Sequence, residues 1–192
     1  MAHEDIPVLE TERLVLHGPA PEDYPKFAGM FGSRHSRFMG GPLTEYETWM
    51  LYAAEIGHWR IRGFGMWVIA DKKTGDSLGM TGGWFPEGYP TPELAWMIWP
   101  SAQGRGAGLE ATMAARRWLY ETQGWEGAVS FLDPKNYKAT DLARRLGAQL
   151  DEGVKAPDSR EVVFRHPSRD ELDAADAAAN ALLRPQIEKE RQ

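Results

Sequence analysis

Gln103-Gly104-Arg105-Gly106-Ala107-Gly108 limits the folds open to this chain more than any other segment, because of what stands on either side of it. Ahead of it, Met66 to Ala70, Ser77 to Trp84 and Glu93 to Trp99 read as short strands. Asp71 to Gly75 supplies hairpin chemistry between the first two, and a Pro- and Gly-containing loop from Phe85 to Pro92 joins the second and third. Three strands connected this way form an antiparallel meander. Behind the segment, Ala111, Ala114, Ala115, Trp118 and Leu119 keep helical spacing, which predicts a helix over Leu109 to Gln123. Small residues between a strand and a helix let successive backbone N–H groups converge, and the helix N-terminus adds about half a positive charge. Such a nest suits a diphosphate, with Arg105 adding its charge or pointing to solvent. A tight turn with no ligand is the plainer alternative.

Known phosphate loops separate on spacing. A P-loop needs Gly-Lys-Ser/Thr at the helix start, where this chain has Gly108-Leu109-Glu110. A dinucleotide fingerprint counted from Gly104 ends on Leu109; counted from Gly106 it ends on Ala111, but behind an antiparallel meander instead of a parallel unit. What remains is Gln-x-x-Gly-x-Gly. The lysine-free loop and the meander disfavour a nucleotide-dependent enzyme using ATP or NAD.

The rest of the chain supports one α/β domain. At 192 residues it is near the usual length of about 150 per domain. Leu14 to Leu16 reads as a strand, and Pro21-Glu22-Asp23 as the first turn of a helix burying Tyr24, Phe27 and Phe31. Thr44 and Glu47 form a capping box for a second helix ending near Arg62, with Trp49, Tyr52, Ala53, Ile56 and Trp59 on its apolar face. Later come a strand over Ala128 to Leu132, a helix over Thr140 to Leu146 and a strand over Val162 to Phe164. Domain and tail divide at 9–167 and 168–192; Ser168 and Glu171 would cap a tail helix ending near Pro185, either frayed or docked on a second subunit.

Composition removes other classes. The absence of cysteine excludes disulfide scaffolds, thiolate zinc sites and a cysteine nucleophile. A net charge of −6 argues against a nucleic-acid binder. His3, His17, His35, His58 and His166 show no metal-ligand spacing, so no metal is expected. No Gly-x-Ser-x-Gly elbow appears. Neither a targeting segment nor an apolar run of membrane-spanning length is visible, so no membrane partner and a cytoplasmic location are expected.

The set of segments resembles a family. Gln103-x-x-Gly106-x-Gly108 is similar to the acyl-CoA pyrophosphate loop of the GNAT acetyltransferases. Glu10-Thr11-Glu12-Arg13-Leu14-Val15-Leu16 resembles the ribosomal-protein N-terminal acetyltransferase branch, as do Gly79, the Glu93 to Pro100 strand, Asp133-Pro134-x-Asn136-x-x-Ala139 and Arg145-Leu146-Gly147-Ala148. The resemblance implies a mixed, mostly antiparallel sheet splayed into a V by a bulge and flanked by helices. It implies acetyl-CoA as co-substrate, with its diphosphate on Gln103, Gly104, Arg105, Gly106, Ala107 and Gly108. The pantetheine arm would pair with the backbone of Met97, Ile98 and Trp99 and with Asn136, whose other reading is a helix cap. An amine acceptor, either a small molecule or a peptide N-terminus, would be acetylated by direct attack in a ternary complex, and a homodimer is expected because relatives are often dimers.

Two catalytic candidates follow. Glu93 starts a strand where family members often carry an acid, and is either the general base or a solvated carboxylate. Ser130 is either a hydrogen-bond donor to the thiolate or carbonyl, or an ordinary strand serine. Where relatives often place a tyrosine acid, this chain has Ala143; Tyr137 is nearby, and water also suffices. That gap leaves open an acyl-CoA-binding regulatory module with weak or no turnover. Four of the eight tryptophans, Trp67, Trp84, Trp96 and Trp99, fall on or beside the strands of the V, and Trp84 and Trp96 are the substrate-wall candidates. Arg34 and Arg37 lie in the loop bordering the acceptor side.

Overall fold

A computed structural model describes residues 6–191; His3 lies outside the described residues. Within them the order is β1 (Leu9–Glu10), β2 (Leu14–His17), α1 (Tyr24–Phe31), α2 (Glu45–Arg62), β3 (Met66–Asp71), β4 (Ser77–Trp84), β5 (Glu93–Ile98), α3 (Ala107–Glu121), β6 (Val129–Leu132), α4 (Tyr137–Arg145), β7 (Gln149–Leu150), β8 (Val162–Arg165) and α5 (Leu172–Arg191). The strands form one eight-stranded sheet in the order β1-β2-β3-β4-β5-β6-β8-β7. β1 and β7 have two residues each, too few for an alternating pattern to announce them.

Every neighbouring pair is antiparallel except β5 and β6. Those two touch at one register pair, Glu93↔Val129, and then diverge. This divergence is the expected V. The register shift in the meander lies between Ile69 and Ala70, on β3 against β4; β4 and β5 pair continuously from Gly79↔Ile98 to Trp84↔Glu93.

Strand alternation loads both faces. Met66, Val68, Met80, Met97 and Trp99 pack against Phe27, Met30 and Phe31 of α1 and Tyr52 of α2. Leu14, Leu16, Trp67, Ile69 and Leu94 pack on Ala107, Ala111, Ala115 and Leu119 of α3. Alanine on the inner stripe of α3 brings that helix close to the sheet. The Thr44–Glu47 capping box forms, with Glu47 N–H donating to Thr44 Oγ1 at 3.2 Å and Thr44 N–H to Glu47 Oε2 at 2.8 Å.

Three helix boundaries differ from the sequence expectation. α3 starts at Ala107 because Gly106 is its N-cap, so the last two residues of the glycine segment already belong to its first turn. α4 starts at Tyr137, three residues early, with Asn136 as N-cap. α5 runs past Pro185, which sits on the exposed side where the carbonyl freed by the missing N–H faces water.

The tail docks on its own chain. Ala179, Leu183 and Ile187 of α5 pack on Leu109 and Met113 of α3 and on Leu146. Asp176 accepts from Arg116 Nη2 at 2.7 Å, and Arg116 Nη1 donates to Leu146 O at 2.7 Å. Arg116 is fully buried, and among the described residues its ion pair is with Asp176 of α5.

Candidate active site

The glycine segment is held from three sides. Gln103 Nε2 donates to Ile98 O at 3.0 Å, and Lys138 Nζ of α4 donates to Gln103 Oε1 at 2.5 Å. Gly104 (φ +83°) and Gly106 (φ +77°) are left-handed, a conformation that favours glycine. A Cβ at Gly104 would meet nothing within 4 Å, whereas one at Gly106 would lie 2.5 Å from Gln186 Oε1 and 2.7 Å from Leu183 Cδ1 of α5. Beneath the loop, Arg13 Nη1 donates to Arg105 O at 3.1 Å and Arg13 Nε to Glu110 Oε2 at 2.8 Å. Thr11 Oγ1 donates to Glu110 Oε1 at 2.5 Å. The opening Thr11-x-Arg13 is therefore a strut that fixes the loop to the first turn of α3.

Backbone direction decides which groups face the V. Trp99 N–H donates to Leu78 O at 2.9 Å, so by antiparallel alternation Met97 and Trp99 turn their backbone groups to β4. Leu94, Trp96 and Ile98 turn theirs toward β6. Ser130 Oγ occupies Leu94 O at 2.6 Å and Gln103 Nε2 occupies Ile98 O. Trp96 and the Ile98 N–H are thus aimed into the opening, one residue out of step with the Met97 and Trp99 expectation.

Two chambers meet at Trp96, Met97, Asn136 and Met39. The larger, about 710 Å³, runs along the glycine segment and α4; Arg37, Lys135, Lys138 and Arg145 line it, with Asp141 as its one carboxylate. The smaller, about 330 Å³, lies between β5 and α2; Glu55, Glu93, Asp133 and Glu161 line it, with no Lys, Arg or His among the described residues. Asn136 reaches both chambers while its Oδ1 caps α4 by accepting from Ala139 N–H at 3.4 Å, so the cap and the cleft position coexist.

Glu93 is buried and accepts from Phe131 N–H through Oε1 at 3.1 Å. Burial pushes its carboxyl up to about 8; the Phe131 bond opposes this, while Glu161 and Glu55 push further. Glu55, on α2, is 2% exposed, and burial raises it to about 8 as well. It stands on the apolar stripe of α2, so no spacing rule singles it out. Trp84, paired directly with Glu93, stacks on His58 with ring centroids 4.8 Å apart and lines the same chamber. Burial, then Glu93, raises the Tyr89 hydroxyl on the opposite wall.

Other candidates take different places. Ser130 is fully buried outside both chambers, donating to Leu94 O and 2.9 Å from His166 Nε2. Arg116 Nη1 lies 3.4 Å from His166 Nδ1, and since a guanidinium only donates, Nε2 carries the histidine proton and points it at Ser130. Burial and then Arg116 hold His166 down to about 3, so it stays neutral. Ala143 is fully buried in the core, and Tyr137 is 77% exposed at the mouth of the larger chamber. Trp67 and Trp99 belong to the core, their indoles donating to Pro7 O at 2.7 Å and Ser77 Oγ at 2.9 Å, so they build no acceptor wall. Trp96 touches both chambers, but its ring packs on the α3 side, edge-on to His166 at 6.1 Å. Trp49 is 57% exposed instead of packed, and Arg34 lies exposed in its loop. Among the described residues no group of three or more His, Asp or Glu is placed to hold a metal, and no helix is long and apolar enough to cross a membrane.

This geometry agrees with comparisons to known proteins. Residues 13–149 match the Acetyltransferase (GNAT) domain. An acetyltransferase of Agrobacterium tumefaciens shares 33% identity and a TM-score of 0.81, over 84% of this chain and 95% of that one. A GNAT-family acetyltransferase of Bordetella pertussis shares 26% identity and a TM-score of 0.71, over 84% and 99%. A ribosomal-protein-S5-alanine acetyltransferase of Vibrio fischeri shares the fold at 14% identity and a TM-score of 0.64, over 86% and 98%. With the domain match spanning most of the chain, the protein belongs to the GNAT acetyltransferase family.

Proposed function

We propose that the protein transfers an acetyl group from acetyl-CoA to a primary amine by direct attack in a ternary complex. The division of charge between the two chambers carries this reading. Arg37, Lys135, Lys138 and Arg145 suit the phosphates of CoA, and Glu55, Glu93, Asp133 and Glu161 suit a cationic amine.

The residues fit the co-substrate on their own geometry. Left-handed Gly104 and Gly106 leave the loop without side chains there, and the N–H groups of Gly106, Ala107 and Gly108 open α3 as a diphosphate cradle. Trp96 and Ile98 offer backbone groups to the pantetheine amides, and Asn136 stands across the V. Acetyl-CoA supplies an acetyl thioester activated toward amines. Glu93 takes the amine proton: a carboxyl near 8 is closer to an alkylammonium than an ordinary carboxylate, and the Phe131 bond fixes its orientation. Trp96 N–H is directed to hold the carbonyl oxygen as charge develops on it. We assign Ser130 a positioning role, because its hydroxyl is spent on Leu94 O and so holds β5 to β6 at the apex of the V. Water at the open mouth protonates the departing thiolate, since Ala143 has no proton to give.

A weakly active acyl-CoA-binding module is the second reading, favoured by Ala143 alone. Calorimetric titration with acetyl-CoA, followed by thiol release across a panel of amines, tests both. No acetyl-CoA binding overturns both; binding without turnover on any amine leaves the module.

A further inference from the structure

Glu55 interrupts the apolar stripe of α2, between Tyr52 and Trp59, and nothing in the fold explains an acid there. Its side chain is 2% exposed, and among the described residues its buried Oε2 has no hydrogen-bond partner. Buried carboxyl oxygens are normally satisfied, and a leucine at this position would fill the space without that cost. Glu55 lines the small chamber that Glu93 lines from β5, with Trp84 and Tyr89 as aromatic sides and Asp133 and Glu161 toward β6 and β8. Among the described residues no basic side chain lines this chamber, so a carboxylate on the acceptor would meet four acids and no counter-charge.

We propose that Glu55 is a second acceptor-binding carboxylate, which with Glu93 cages the ammonium group of an aliphatic amine that carries no carboxylate of its own. The Glu55 carboxylate accepts a hydrogen bond from the ammonium. The N–H bond directed at Glu93 then breaks as an O–H bond forms on that carboxylate, leaving a neutral amine between the two side chains. Burial keeps both acids mostly protonated at neutral pH in the empty site, and an arriving cation favours their ionised forms. Free amino acids are turned away; amines and peptide N-termini with a blocked or distant carboxylate are admitted. This inference rests on the acetyltransferase reading for its chemistry, but the cage is measurable without turnover.

The test uses full-length protein labelled with carboxyl-13C glutamate and a matched pair of probes, butylamine and 4-aminobutanoate. Butylamine is expected to shift the Glu55 and Glu93 carboxyl signals and to bind at least tenfold more tightly than 4-aminobutanoate. Glu55→Gln should weaken butylamine at least tenfold, lower the titration midpoint of Glu93 by removing a like charge, and leave the acetyl-CoA Kd unchanged. Should Glu55→Gln not fold, Glu55→Leu, which needs no buried polar partner, serves for the same comparison. Unmoved carboxyl signals, equal butylamine affinity in wild type and variant, or equal affinity for the two probes overturns the cage. Failure of the wild type to bind acetyl-CoA, with the butylamine results intact, overturns the acetyltransferase reading instead.

Discussion

Replacing Gly106 with alanine is expected to cost more stability than the same change at Gly104, and the difference measures how firmly α5 braces the diphosphate loop. Both residues are left-handed, which penalises an L side chain by about 1–2 kcal/mol. A stiffer unfolded chain returns about 0.4–1 kcal/mol, so Gly104→Ala, whose methyl meets open space, should lose about 1 kcal/mol. At Gly106 the methyl lies 2.5 Å from Gln186 Oε1 and 2.7 Å from Leu183 Cδ1. Overpacking of this kind adds about 1–3 kcal/mol, moderated here because both atoms end flexible side chains. The expected loss is therefore about 2–3 kcal/mol, with a weaker acetyl-CoA Kd as α5 and the loop are pushed apart. Urea unfolding at constant m-value reads the first quantity and calorimetry the second. Gln186→Ala in the Gly106→Ala background should recover part of both. Equal urea midpoints for the two alanine variants, or no recovery on trimming Gln186, would refute the bracing argument.

Further outcomes follow from the site and its supports. Thiol release should rise with pH through about 8 as Glu93 ionises, and Glu93→Gln should flatten that limb while sparing acetyl-CoA affinity; an unchanged profile removes Glu93 from the base role. Glu55 and Glu93 hold protons in the folded state that the unfolded chain releases near 4.5, so each makes stability fall as pH rises from there to about 8. Glu55→Gln should therefore be the more stable protein at pH 8, as read by urea midpoints across that window. Glu110→Ala removes the carboxylate that Thr11 and Arg13 share beneath the loop and should cost about 2 kcal/mol while weakening acetyl-CoA binding. Asp176→Asn, which leaves Arg116 buried without its carboxylate, should cost a similar amount, about 3 kcal/mol, with loosening of α5 visible as faster hydrogen exchange in residues 172–191.

Most of the fold was legible because its signals are local. The meander rests on period-two strands and turn residues, α2 on the Thr44–Glu47 box, and the loop on its glycines. What escaped depends on partners distant in sequence. Thr11 and Arg13 belong to a segment that marks the family resemblance, but their part as a strut appears only once Glu110 is seen beside them. Glu55 reads as an interruption in an amphipathic helix, and only the third dimension sets it in one chamber with Glu93. Ser130 illustrates the opposite error: its strand is correctly placed, but alternation in β6 and the neutral His166 behind it direct the hydroxyl into the core. Trp67 fails as a wall residue for the same reason, since its face of β3 packs on α3; Trp99 shares the Glu93 face by period two but is buried in the core with its indole spent on Ser77 Oγ.

The whole-chain charge of −6 argues against a general nucleic-acid binder but does not show how charge is divided within the cleft. For the proposed substrates, a diphosphate is disfavoured among Glu55, Glu93, Asp133 and Glu161 and an ammonium among Arg37, Lys135, Lys138 and Arg145, so each has one chamber that suits it. On the acetyltransferase reading the same division governs release. Acetylation turns a cation into a neutral amide, which loses its attraction to the two acids, and the proton it gave up leaves Glu93 neutral. Two buried carboxyls that weaken the fold above pH 4.5 thereby bind the acceptor as an ion and let the product go as a neutral molecule.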